Sequence, residues 1–140
     1  MLTFQRFRIF AILTTTLLIL AQCSEKTSTQ YVREGLEHLK KAHYEDALLS
    51  YQKAAQSDPK NPDAWYGIGG VYNQKEKYEL AETSFLKTLK IDPTYVDAYY
   101  SLGYTYEMMG RKKEAQQYFE KYRSLSKKLN RLLKKDRPKT

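Results

Sequence analysis

Cysteine is almost missing from this chain. Cys23 is the single one in 140 residues, so no intramolecular disulfide can form and the fold rests on packing alone. Histidine occurs twice, at His38 and His43, with no partners at metal-ligand or triad spacing, which reads as two structural or solvated side chains. The six glycines form no phosphate-cradling loop. These scarcities argue against an enzyme, and nothing in the sequence calls for a cofactor. Long apolar runs are also lacking. The longest, Ile9 to Ala21, holds thirteen residues, about 20 Å of helix against a hydrocarbon core of about 30 Å.

What is present is unevenly placed. The formal charge is +8. Arg6 and Arg8 precede the apolar run, residues 23–120 are nearly neutral, and the last twenty residues hold nine bases against the single acid Asp136. A short basic start, an apolar stretch and then a polar segment, "SEKTSTQ", form the layout of a secretory signal over residues 1–22, with a polar tether over 23–29. The junction "LAQC" resembles the lipobox of bacterial lipoproteins: Leu20 takes its apolar position, Ala21 the small one and Cys23 the lipidated one, while Gln22 stands where glycine, alanine or serine is usual. The resemblance implies an acylated Cys23 and a membrane-anchored protein of the bacterial envelope. Two alternatives are an uncleaved anchor ending at Cys23 and an ordinary signal cut elsewhere.

From residue 28 the chain repeats itself every 34 residues. Tyr31, Trp65 and Tyr99 keep that interval, as do Gly35, Gly69 and Gly103; Ala47, Ala81 and Ala115; Tyr51, Phe85 and Phe119; and Pro59 with Pro93. Large apolar residues at Trp65, Ile68 and Tyr72 recur at helical spacing. Prolines in "SDPKNPDA" and "IDPTYVDA" predict helix ends, and the aspartates predict the caps of the next helices. The pattern closely resembles the tetratricopeptide repeat, whose unit is helix, turn and helix. The resemblance implies an all-α solenoid with units at 28–61, 62–95 and 96–129. The first unit carries Glu34 and His38 where an apolar residue and a tyrosine are usual, and should be the least stable.

In that family the first helix of each unit lines a concave groove. The register places Val32, Leu36, Tyr66, Asn73, Tyr100, Tyr104 and Met108 there, a mixture suited to an extended or helical peptide. Tyr66, Tyr100 and Tyr104 are expected off the core, so each should be replaceable by alanine with little loss of stability. Some family members grip a C-terminal carboxylate with lysines and asparagines. Here Val32, Leu36, Gly67 and Tyr104 stand at those positions, which disfavours such a clamp.

After the third unit no breaker appears until Pro138, and Leu125, Leu129, Leu132 and Leu133 form a stripe under Lys127, Lys128, Arg131, Lys134 and Lys135. Residues 127–140 are expected chiefly as a capping helix and basic tail. A second role is contact with acidic lipid or an acidic partner; nucleic acid is not expected, since Tyr122 is the tail's only aromatic. The overall expectation is a non-catalytic protein-interaction module at the envelope that takes a peptide or protein partner. The alternative is a structural subunit docking through its C-terminal helix.

Overall fold

The computed structural model describes residues 26–135, and the signal segment, Cys23 and residues 136–140 lie outside them. Six helices follow one another: α1 Ser28–Lys40, α2 Tyr44–Ser57, α3 Pro62–Gln74, α4 Tyr78–Ile91, α5 Val96–Met108 and α6 Lys112–Lys135. Each consecutive pair within a repeat packs side by side, and each second helix packs on the first helix of the next repeat. The first helices also meet one another, α1 with α3 and α3 with α5, whereas the second helices do not. The stack therefore bends toward the first-helix side, which becomes its inner face.

The 34-residue spacing has a physical basis at several levels. In every repeat the first helix ends in a Schellman motif whose left-handed residue falls in register: Ala42 (φ 58°), Glu76 (φ 56°) and Gly110 (φ 75°). The following amide reaches back to an orphan carbonyl each time, His43 N to His38 O at 2.9 Å, Lys77 N to Tyr72 O at 2.9 Å and Arg111 N to Tyr106 O at 2.8 Å. Between repeats, Trp65 Nε1 donates to the Pro59 carbonyl at 3.0 Å and Tyr99 Oη donates to the Pro93 carbonyl at 2.9 Å, stapling each proline linker to the helix it precedes.

Glycine recurs because an aromatic ring needs its space. A β-carbon at Gly69 would lie 2.6 Å from Phe85, one at Gly103 2.6 Å from Phe119, and one at Gly35 2.8 Å from Tyr51. The cores follow from these contacts. Ala47, Tyr51, Ala54, Ala64, Ile68 and Val71 join repeats 1 and 2; Ala81, Phe85, Leu102, Tyr106 and Ala115 join repeats 2 and 3.

Three details differ from the sequence expectations. Asp58 and Asp92 are C-caps whose carboxylates accept from Lys60 N and Thr94 N, while Asn61 caps α3 by accepting from Asp63 N at 3.0 Å. With Pro62 at the first helical position, the cap must sit one residue earlier, at Asn61. Residues 27–29, expected in the tether, belong to α1 and its cap: Thr27 and Gln30 form a capping box, and Ser28 is buried in α1, donating from Oγ to the Ala54 carbonyl at 2.9 Å. Finally, the expected cap is no separate helix. Lacking a breaker, α6 continues straight through residues 127–135, which are all exposed, so its leucines project beyond the body and do not fold over the last repeat.

Glu34 and His38 also acquire a reason. Their counterparts Ile68 and Tyr72 join the core formed with α2, the second helix of the preceding repeat. Repeat 1 has no preceding repeat among the described residues, so its outer face is polar, with Glu34 paired to Lys26 and His38 Nδ1 4.0 Å from Asp46. Polar outer faces are what terminal repeats require.

Candidate functional site

The seven residues projected onto the groove do not converge on one place. Val32 is half-buried against the core of repeats 1 and 2, and Leu36 is exposed beside it on α1. Tyr66 is half-buried, with its ring 5.6 Å from Phe85 and 5.0 Å from Tyr95 and its hydroxyl accepting from Ser101 Oγ at 3.3 Å. It is a packing residue of the repeat 2–3 junction, contrary to its projection off the core. The cause is Tyr95, a linker residue that folds over the ring, which the first-helix register alone does not reveal.

Asn73, Tyr104 and Met108 do come together. They line a cleft of about 360 Å³ where α3 meets α5, with Gly70, Gln74, Glu76 and Ser101 around them. Tyr104 and Met108 are 40% and 47% exposed, so both are available to a ligand. Gly70 makes the cleft: it stands between Leu36 and Tyr104 in the 34-residue register, and a β-carbon there would meet nothing within 4 Å. The polar chemistry is set by Thr105. Its hydroxyl lies 2.7 Å from the Ser101 carbonyl and 3.1 Å from Asn73 Oδ1 and shares its one proton between these two acceptors. Asn73 Oδ1 is thus held by Thr105, and the Asn73 amide nitrogen can donate to a backbone carbonyl of a bound peptide.

Tyr100 belongs elsewhere. Its ring lies 5.6 Å from Phe119 and 5.3 Å from Tyr122, and the three line an open cavity of about 620 Å³ with Glu107, Gln116 and Arg123 on the outer face of repeat 3. The register missed this cavity because half of its wall is the second helix, α6.

Behind the cleft, the junction is fixed by a polar cluster. Tyr106 Oη donates to Glu82 at 2.7 Å, and Arg111 binds Glu82 at 3.1 Å and Glu114 at 2.9 Å while lying 4.5 Å from the Tyr106 ring centre. Burial first, then the Glu82 carboxylate, raises the Tyr106 pKa. His38, His43 and Asp46 are the one set among the described residues with donors close enough for a metal ion, within 4.8 Å of each other. Lys41 and Arg33 line the same depression and oppose a bound cation. The basic residues Lys127, Lys128, Arg131, Lys134 and Lys135 all lie on the projecting part of α6, remote in sequence and fold from the cleft.

Stacked helical hairpins with an exposed first-helix face define a helical-repeat protein of the interaction-module class. The chain belongs to the tetratricopeptide repeat family: one model of that description matches residues 32–96 and a second matches residues 84–117. No curated protein matches it. Among solved structures it is similar to MamA, with 28% identity over 75% of this chain and a TM-score of 0.71; the match spans 61% of the MamA chain. It is also similar to the second TPR of Spaghetti (RPAP3) bound to the HSP90 peptide SRMEEVD, with 26% identity, 70% of this chain, 91% of that one and a TM-score of 0.68. The TPR2B domain of yeast Sti1 in complex with pHsp70 shares the fold at 16% identity, 74% and 83% coverage and a TM-score of 0.72.

Proposed function

We propose that this protein is a non-catalytic adaptor that holds a peptide segment of a partner protein in the cleft between α3 and α5. The observation that carries the reading is the opening at Gly70, flanked by exposed Tyr104 and Met108 and by the side-chain amide of Asn73. An aromatic wall, a flexible thioether and one backbone-directed amide donor suit an apolar side chain of an extended peptide. Similarity to a TPR solved with an HSP90 peptide supports a peptide ligand. An acidic C-terminal tail is not the one we propose, because Val32, Leu36, Gly67 and Tyr104 supply no cation where a carboxylate would sit.

The adaptor works, in this reading, at a bacterial membrane, attached through acyl chains on Cys23. The basic start, the apolar run and the "LAQC" junction support the anchor. The intact mass of the mature chain from its native host tests it: cleavage after Gln22 with added acyl mass, lost in Cys23→Ala, is expected, and an unmodified Met1 start overturns it.

The cleft is tested with peptides selected from a displayed random library. Gly70→Leu and Tyr104→Ala should each weaken their binding at least tenfold, about 1.4 kcal/mol, with melting temperatures nearly unchanged. Tyr66→Ala should instead lower stability by about 1–3 kcal/mol, as loss of a half-buried packing ring does. Selected peptides that ignore both cleft substitutions would remove the cleft from the function.

A further inference from the structure

We infer that the projecting part of α6 is a bilayer-contact element that lays its leucine stripe into an anionic lipid surface. The second helices α2 and α4 stop after 14 residues each, whereas α6 has 24. The extra ten residues run about 15 Å past their partner helix. The apolar face that packs in the body, with Ala115, Tyr118 and Tyr122, continues as Leu125, Leu129, Leu132 and Leu133. At 100° per residue these leucines share an arc of about 100°. Leu129, Leu132 and Leu133 are 46%, 51% and 58% exposed, so nothing among the described residues covers them.

The rest of the helix surface identifies the occupant. Lys121, Arg123, Lys127, Lys128, Arg131, Lys134 and Lys135 occupy the remaining arc, and residues 121–135 contain no acid. A second copy packed stripe to stripe would bring these cations together with no carboxylate to pair them. An apolar arc whose charged neighbours are all cations matches a surface that is apolar beneath and negatively charged above, which is an anionic bilayer.

Topology adds a second argument. With six alternating helices, α6 ends at the edge where the chain enters α1, beside the end of α2, where Ser28 Oγ meets the Ala54 carbonyl and accepts from Asn61 Nδ2 at 2.7 Å. Only Ser24 and Glu25 separate Cys23 from Lys26, about 10 Å of extended chain. An anchor at Cys23 therefore holds this edge near the bilayer, within reach of the overhang. This argument rests on the anchor proposed above; the stripe and its charge do not. Two points of attachment would fix the direction in which the α3–α5 cleft faces.

The test uses the full chain in a Cys23→Ser background with a nitroxide attached through Leu132→Cys, and separately through Lys134→Cys, mixed with phosphatidylcholine vesicles with or without phosphatidylglycerol. On vesicles containing phosphatidylglycerol, the label at position 132 should become severalfold more accessible to oxygen than to an aqueous nickel chelate, while the label at 134 stays aqueous. High salt, or glutamine in place of Lys127, Lys128, Arg131 and Lys135, should abolish the difference. A label at 132 that behaves alike on both vesicle types overturns the inference. So does one already immobilised without vesicles, which would assign the stripe to a second copy or to the body. Because the background has no thiol at position 23, the readout stands or falls independently of the lipid anchor.

Discussion

The ring of Tyr51 approaches Gly67, in the next repeat, so closely that a β-carbon there would lie 2.4 Å from its Cδ1 and Cε1 atoms. Tyr51 is 3% exposed and wedged between Gly35 of its own repeat and Gly67 of its neighbour, leaving no direction in which to yield. Gly67→Ala should therefore cost about 1–3 kcal/mol through overpacking. Gly70→Ala, three residues along the same helix, meets open space and should gain about 0.4–1 kcal/mol by restricting the unfolded chain. Urea midpoints moving in opposite directions with unchanged m-values would check both.

The three Schellman turns demand a left-handed residue, yet only the third supplies glycine. An L-residue there costs about 1–2 kcal/mol, and glycine returns part of that gain as chain entropy, about 0.5–1 kcal/mol. Ala42→Gly and Glu76→Gly should each raise stability by about 0.5–1 kcal/mol, and Gly110→Ala should lower it by a similar amount. Thermal unfolding of the three single variants would show the pattern.

Tyrosine ionisation should limit the fold at high pH. Burial pushes the Tyr51 hydroxyl up to about 12, and Tyr95 and Tyr106 are raised by burial and by their bonds to Asp63 at 2.8 Å and Glu82 at 2.7 Å. A raised folded pKa means that the folded chain keeps protons the unfolded chain releases above about pH 10. Stability is thus complete below about pH 10 and falls as pH rises toward 12, by up to about 1.4 kcal/mol per pH unit for each group. Tyr51→Phe, which copies Phe85 and Phe119 of the other repeats, should flatten that decline relative to the unsubstituted chain. Urea unfolding measured between about pH 9 and 12 would check it.

The fold was legible because a helical hairpin reuses the same few contacts. Glycine must meet an aromatic ring in each repeat, and proline follows the second helix of the first two, so both recur at 34 residues and mark the helical hairpins. The site was legible only in part. Asn73, Tyr104 and Met108 could be placed from the first-helix register, since they depend on that helix alone. Tyr66 could not, because its burial depends on Tyr95 in the following linker. The Tyr100 cavity depends on Phe119 and Tyr122, which lie on another helix. Gly70 left a signal that only its register could have shown, a residue without a side chain between Leu36 and Tyr104.

The two ends of the stack differ in kind. Arg33, Glu34, Glu37, His38 and Lys41 cover the outer side of repeat 1, while Tyr100, Phe119 and Tyr122 stand on the outer side of repeat 3. Placed head to tail, two copies would set those charges against a face that mixes the three rings with Glu107, Lys112 and Arg123. A solenoid is by nature an object that can grow, and the difference between its two ends gives this one a polarity.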